Sequence, residues 1–203
     1  MTENPLLLLL LGAAGIYIGK LWLDDMRTAR AGQPNPRALP GATPARRPAL
    51  WIASAGALAL LAIETAGEHA LGIAAEQSTM TWLFALYTLT AAIIEEIIFR
   101  GYLVIEGRGT AARWVGILAA SAVFALVHPF LWKWDDAGFA LTFGAKGAFS
   151  TAIVFATSVW LYVARFARWN PTQSLLPCIV AHAAKNAGVI VVKAASGFMG
   201  GLW

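Results

Sequence analysis

The sequence predicts an all-α fold: a polytopic transmembrane helical bundle of about six spans, with a polar site buried between the third, fourth and sixth helices. Three observations carry this. Several near-continuous apolar runs reach 17 residues or more, about what a helix needs to cross hydrocarbon. Only 13% of the 203 residues are charged, against about 25% in a soluble domain. The ionisable groups inside the runs concentrate in three of them. A charged side chain at a helix centre costs roughly 2.5–3.5 kcal/mol, so such groups need partners, water and a task. No strand alternation, heptad or internal repeat competes with this reading.

The elements follow in order. The first span is expected over residues 5–23, where a leucine run continues through Ile16, Tyr17 and Ile18 to Trp22, with Lys20 close enough to one end to snorkel. The preceding residues lack a basic region, and Glu3 has the wrong sign for a signal peptide, so the run reads as a retained span. The second is expected over 49–66, the third over 80–105, the fourth over 111–131, the fifth over 148–164 and the sixth over 171–192. Tryptophans 22, 51, 82, 114, 132, 134 and 169 punctuate the ends, as an interfacial aromatic belt does. Residues 24–48, rich in Pro, Gly and Arg, read as an irregular, wet loop. Gly107 and Gly109 fit the end of the third helix, and Asn170-Pro171 fits a cap opening the sixth. Pro129 pushes His128 out of the helical region, so the fourth helix should break there. The whole chain, 1–203, reads as a single integral membrane domain: 1–79 holds the first two spans and their loops, and 80–192 holds the catalytic core.

Charge sets orientation and excludes some functions. The first, third and fifth loops hold nine Lys and Arg, the second and fourth only two, Lys133 and Lys146, which Asp135 and Asp136 balance. The arginine-rich loops are therefore expected in the cytoplasm and both termini outside. The same rule explains the net charge of +4 without nucleic acid, for which no basic, aromatic-interleaved patch exists. One cysteine, Cys178, allows no internal disulfide and no Cys-based zinc site.

The chemistry lies in the third helix (Glu95, Glu96, Arg100), the fourth (His128) and the sixth (His182, Lys185, Asn186). Two of three histidines inside spans, beside two glutamates, fit a buried acid/base site. Glu96 and Arg100, at i and i+4, share a face and can pair in the favoured order, whereas Glu95 points about 100° away toward other helices. His182 and Asn186 are also i and i+4. By helical rise, Glu95, His128 and His182 come out roughly 13–21 Å from the cytoplasmic ends of their spans, near mid-membrane. Taken singly, each group has a plainer reading: an ion pair that locks packing, or interhelical hydrogen bonds. Glu64, Glu68 and His69 read as interfacial. Lys185 is expected to snorkel or line a wet cavity. Cys178, one turn before His182, could act as a nucleophile but reads as packing.

Three motifs carry a resemblance. Glu95-Glu96-Ile97-Ile98-Phe99-Arg100 resembles the EExxxR motif of the CAAX-protease and bacteriocin-processing (CPBP or Abi) family, which includes the type II prenyl-CAAX endopeptidases. Phe124-Ala125-Leu126-Val127-His128 resembles its FxxxH motif, and His182-Ala183-Ala184-Lys185-Asn186 its HxxxN motif. All three occur in the family's order, each on its own span. The resemblance implies an intramembrane endopeptidase that cleaves near the C-terminus of a lipidated or membrane-anchored protein or peptide, with water activated by a glutamate and no cofactor. It implies Glu95 as general base, His128 holding the water, His182 and Asn186 as oxyanion donors, and Glu96, Arg100 and Phe124 in support. The implied location is the inner (plasma) membrane of a prokaryotic cell. The alternatives are a zinc protease with Glu95, His128 and His182 as ligands, although no HExxH is present, and a proton-linked transporter or silent scaffold.

Overall fold

The computed structural model describes residues 4–135 and 137–203, except for the side chain of Asp135. Glu3 and Asp136, both used above, lie outside the described residues. Among the described residues, six helices are long and apolar enough to cross a membrane: Pro5–Arg30 (α1), Arg47–Ala70 (α2), Trp82–Tyr102, Gly109–Val127 (α4), Ala145–Phe166 (α5) and Leu176–Ala195 (α6). The third is composite. Its α-helical part, Trp82–Glu95 (α3), runs directly into a π-helix, Glu96–Tyr102.

Local chemistry explains where these helices begin and end. Asn4 caps α1 by accepting from the amides of Leu6 and Leu7 at 3.0 and 3.2 Å, with Pro5 following. α1 outruns its expected end because Lys20, Asp24 and Arg27 pair at helical spacing, at 2.7 and 3.0 Å, carrying the helix past its first charges. α6 starts at Leu176 rather than at Pro171. Asn170 is occupied elsewhere: its Nδ2 lies 3.0 Å from Ala164 O and 3.1 Å from Arg165 O, so it closes the end of α5 instead of capping α6. Gly107 and Gly109 lie past the end of the third helix, in left-handed backbone leading into α4.

Two expectations about the loops are corrected. Between α4 and α5 a small antiparallel hairpin forms, with Trp132–Asp135 (β1) paired to Gly138–Leu141 (β2). β1, Trp132-Lys133-Trp134-Asp135, does alternate apolar with charged residues, but over four residues, the shortest stretch on which such a signal can be read. The loop 24–48 is not simply wet. Trp22, expected in the aromatic belt, is buried and donates Nε1–H to Pro40 O at 3.0 Å, and Ala42 lies in the core. This loop also latches onto the α5–α6 connection, through Thr43 Oγ1 to Thr172 O (3.0 Å), Thr172 Oγ1 to Pro44 O (2.7 Å) and Leu175 N to Gly41 O (3.0 Å). At the other end of the bundle, Met80 pairs with Met199 just past α6.

Small residues let the helices approach closely. α2 packs against α5 and α6, α1 against α3, α3 against α6, and α4 against α5. Ala49, Ala53 and Ala57 form one fully buried stripe on α2. On α1, a Cβ on Gly15 would lie 3.0 Å from Thr90 O of α3. Helices in lipid gain little from burying apolar area against each other, so such close fits and interhelical polar contacts hold them together. The outer surface is itself apolar, with Leu6, Leu10, Leu86 and Val115 all exposed.

Candidate active site

The switch from α- to π-helix falls between the two glutamates. The wider turn is marked by Leu103 N donating to Ile98 O, five residues back, at 2.9 Å. A π-turn displaces carbonyls from their usual partners, and α5 supplies substitutes. Tyr162 Oη lies 2.5 Å from Phe99 O and 3.1 Å from Leu103 O, and Arg165 Nη1 donates to Gly101 O at 3.2 Å. Helix α5 thus fixes the turn that aims the glutamates.

Glu96 and Arg100 are fully buried and pair at 3.0 Å through Nη1 and Oε1. Arg100 Nη2 donates to Ser158 Oγ on α5 at 2.7 Å, and Ser158 Oγ in turn donates to Ser121 Oγ on α4 at 2.9 Å. The guanidinium also lies over the rings of Phe124 and Tyr162, 4.5 and 5.1 Å from their centroids. One cation therefore ties together the π-turn, α4 and α5.

His182 sits between the two glutamates. Its Nδ1 is 2.7 Å from Glu96 Oε1, and its Nε2 is 3.6 Å from Glu95 Oε2. Helical spacing predicts Glu96 facing Arg100 and Glu95 turned about 100° away toward other helices. In the structure Glu96 serves both partners, because its Oε1 is shared by the guanidinium and the imidazole. Glu95 stays one-third exposed, and 3.6 Å is too long for a direct hydrogen bond. With Nδ1–H given to Glu96, Nε2 is the histidine atom left facing Glu95.

Helix α4 ends at Val127, and His128 takes extended backbone at φ −75° and ψ 130°, the break that Pro129 predicts. Its Nδ1 is 2.7 Å from Phe124 O, which leaves Nε2 outward. The Phe124 ring is the spacer of the site: its centroid is 4.8 Å from that of His128 and 6.1 Å from that of His182. His128 makes no hydrogen bond to Glu95 among the described residues. Asn186 donates Nδ2–H to Thr88 O at 2.9 Å, so one of its two N–H groups is engaged by α3. No three His, Cys, Asp or Glu among the described residues are grouped to hold a metal ion, so Glu95, His128 and His182 do not form a ready ligand set.

Sequence reasoning missed the hydroxyls of Ser121, Ser158 and Tyr162. Their only signal was polarity inside apolar runs, which is common and unspecific. It also misplaced a second polar group. Lys185 does not snorkel: it is buried and pairs with Glu64 Oε2 of α2 at 2.8 Å. Glu68 is buried too, pairing with Lys146 and accepting from Gln77 Nε2 at 2.7 Å. Only His69 of that trio is on the exposed end, with Nδ1 2.8 Å from Thr65 O. Buried carboxylates need cations, and helices distant in sequence supply them. Cys178 is buried in the core with Sγ 3.2 Å from Leu161 O.

A family model described as type II CAAX prenyl endopeptidase Rce1-like matches residues 77–188, a stretch that contains every residue of the candidate site. No curated protein and no solved structure matches the chain.

Proposed function

The chain belongs to the type II CAAX prenyl endopeptidase Rce1-like family, which makes it a CAAX-type peptide hydrolase of the membrane, and from that premise we propose that Glu95 activates the water that cleaves a peptide bond near the C-terminus of a prenylated or otherwise membrane-anchored protein. The observation that carries this reading is the unequal treatment of the two glutamates by one histidine. Glu96 is buried and consumed by Arg100 and His182, whereas Glu95 is open on one side and faces Nε2 across 3.6 Å. A polar gap of that length is suited to a bridging water.

The reaction then follows from the residues. The Glu95 carboxylate takes a proton from water as the water oxygen bonds to the carbonyl carbon of the substrate. The carbonyl electron pair moves onto its oxygen, which becomes an oxyanion. His182, with an N–H on each ring nitrogen, gives one to Glu96 and donates the other, on Nε2, to that oxyanion. The free N–H of Asn186 is the second donor. Collapse of the intermediate breaks the C–N bond, and the amine leaves with the proton held by Glu95. His128, held on Phe124 O, presents Nε2 to the water. The arginine-rich loops face the cytoplasm, and the latch between residues 24–48 and the α5–α6 connection supports placing both on one side.

The test is cleavage of a farnesylated, internally quenched peptide by purified protein, with the broken bond located by mass spectrometry. Glu95→Gln, His128→Ala and His182→Ala should each abolish turnover in protein that remains folded, and a chelator should leave the wild type active. Full activity in the folded variants defeats the assignment. Activity lost on chelation and restored by zinc transfers these residues to a metal. Proton-coupled transport with no proteolysis removes the enzyme reading.

A further inference from the structure

The Glu64–Lys185 pair is not used by the reaction just described, yet it borders the site. Lys185 is three residues after His182 on α6, so the two lie on neighbouring parts of one face. It is only 6% exposed. Among the described residues its one hydrogen-bond partner is Glu64 Oε2, at 2.8 Å. An ammonium has three donors, so two N–H bonds of a buried cation point at no protein acceptor. A site that handles only the middle of a peptide has no need of such a group.

We infer that Lys185 is the receptor for the free α-carboxylate at the C-terminus of the substrate, with Glu64 as its counter-ion when no substrate is bound. This rests on the proteolytic reading above. Length supports it. His182 and Lys185 are about 4.5 Å apart along the helix axis, and the lysine stem adds reach in the same direction. Two or three extended residues span roughly 7–10 Å. A carboxylate held at Lys185 therefore puts a bond two or three residues upstream beside Glu95 and His182. The chemistry also supports it: a carboxylate and an ammonium make a short charge-assisted pair where water is scarce. Glu64 keeps the cation paired between turnovers and competes with the incoming carboxylate, so its strength limits how tightly substrate is held.

Two farnesylated quenched peptides, identical except that one ends in a carboxylate and the other in a carboxamide, test this on the full chain in detergent. The wild type should favour the acid by about tenfold or more in kcat/KM, mostly through KM. Glu64→Gln, which removes the competitor, should widen that preference. The neutral double variant Glu64→Gln/Lys185→Met avoids a lone buried charge, and in it the ratio of acid to amide kcat/KM should fall to about one. Equal use of acid and amide by the wild type, or a preference unchanged in the double variant, overturns the assignment to Lys185 and leaves the catalytic reading standing. A wild type that cleaves neither peptide overturns both.

Discussion

Glu95 and Glu96 are neighbours in sequence, and their structural surroundings predict opposite consequences for the same substitution. Glu96→Gln keeps the shape and one acceptor but removes the charge. It leaves Arg100 fully buried without a counter-charge, its partners reduced to the amide oxygen, Ser158 Oγ and aromatic faces. Breaking a buried pair by removing one partner costs about 3–5 kcal/mol. The retained amide oxygen argues for the lower end, about 3 kcal/mol. For a chain of this size that corresponds to a fall in Tm of roughly 6–12 °C. Glu95→Gln removes only a 3.6 Å contact from a side chain one-third exposed, so its cost should stay within about 0.5 kcal/mol. Its kinetic cost should instead be that of a lost general base, roughly 10²–10⁴ in kcat, or about 2.7–5.4 kcal/mol of barrier. Intrinsic tryptophan fluorescence on heating gives Tm, and the quenched peptide gives kcat. A Glu95→Gln protein that melts as low as Glu96→Gln, or that keeps more than a tenth of wild-type kcat, refutes the division of labour between the two.

Two further substitutions probe how the site is held. Tyr162→Phe removes the hydroxyl 2.5 Å from Phe99 O; it should cost about 1–3 kcal/mol for the carbonyl left unsatisfied and lower kcat more than it raises KM, because the π-turn that aims Glu95 loosens, whereas an unchanged kcat would show that the turn needs no support from α5. Gly15→Leu forces side-chain bulk against Thr90 O of α3; over-packing of that kind costs about 1–3 kcal/mol and should lower Tm with the kcat of the folded fraction retained, since α1 carries none of the reacting groups.

The sequence displayed what depends on local pattern. Six apolar runs are visible because a membrane span must be long and continuous. The break at His128 is visible because Pro129 acts on the residue before it. The three charged or histidine-bearing helices are visible because such residues are costly in lipid and stand out. What stayed hidden depends on contacts between residues far apart in the chain. Nothing near Glu96 announces a π-turn, since the groups that satisfy its carbonyls, Tyr162 and Arg165, are on α5. His182 bridging both glutamates requires the packing of α6 on α3. Trp22 looked interfacial until Pro40 folded back to accept its N–H. Glu64 looked interfacial because its partner, Lys185, is on α6.

Those hidden contacts explain how three charges persist inside apolar surroundings. The cost of a buried ion falls when each of its bonding directions is occupied, and the same low dielectric that penalises an empty direction strengthens a filled one. Arg100 uses Nη1 on Glu96 and Nη2 on Ser158 and lies over two aromatic rings, while its Nε has no partner among the described residues. Glu96 fills one oxygen with Arg100 and His182 together. Both are thereby held in position, and Glu96, fully buried, has no open side from which to reach a substrate even though its Oε2 has no partner among the described residues. Glu95 is the ionisable group of the motif left with an open side, and His182 is held so that its second nitrogen faces that side. On the proposed mechanism the scaffold and the reagent are the same kind of residue, one position apart, and what separates them is that Glu95 has an open side and Glu96 has none.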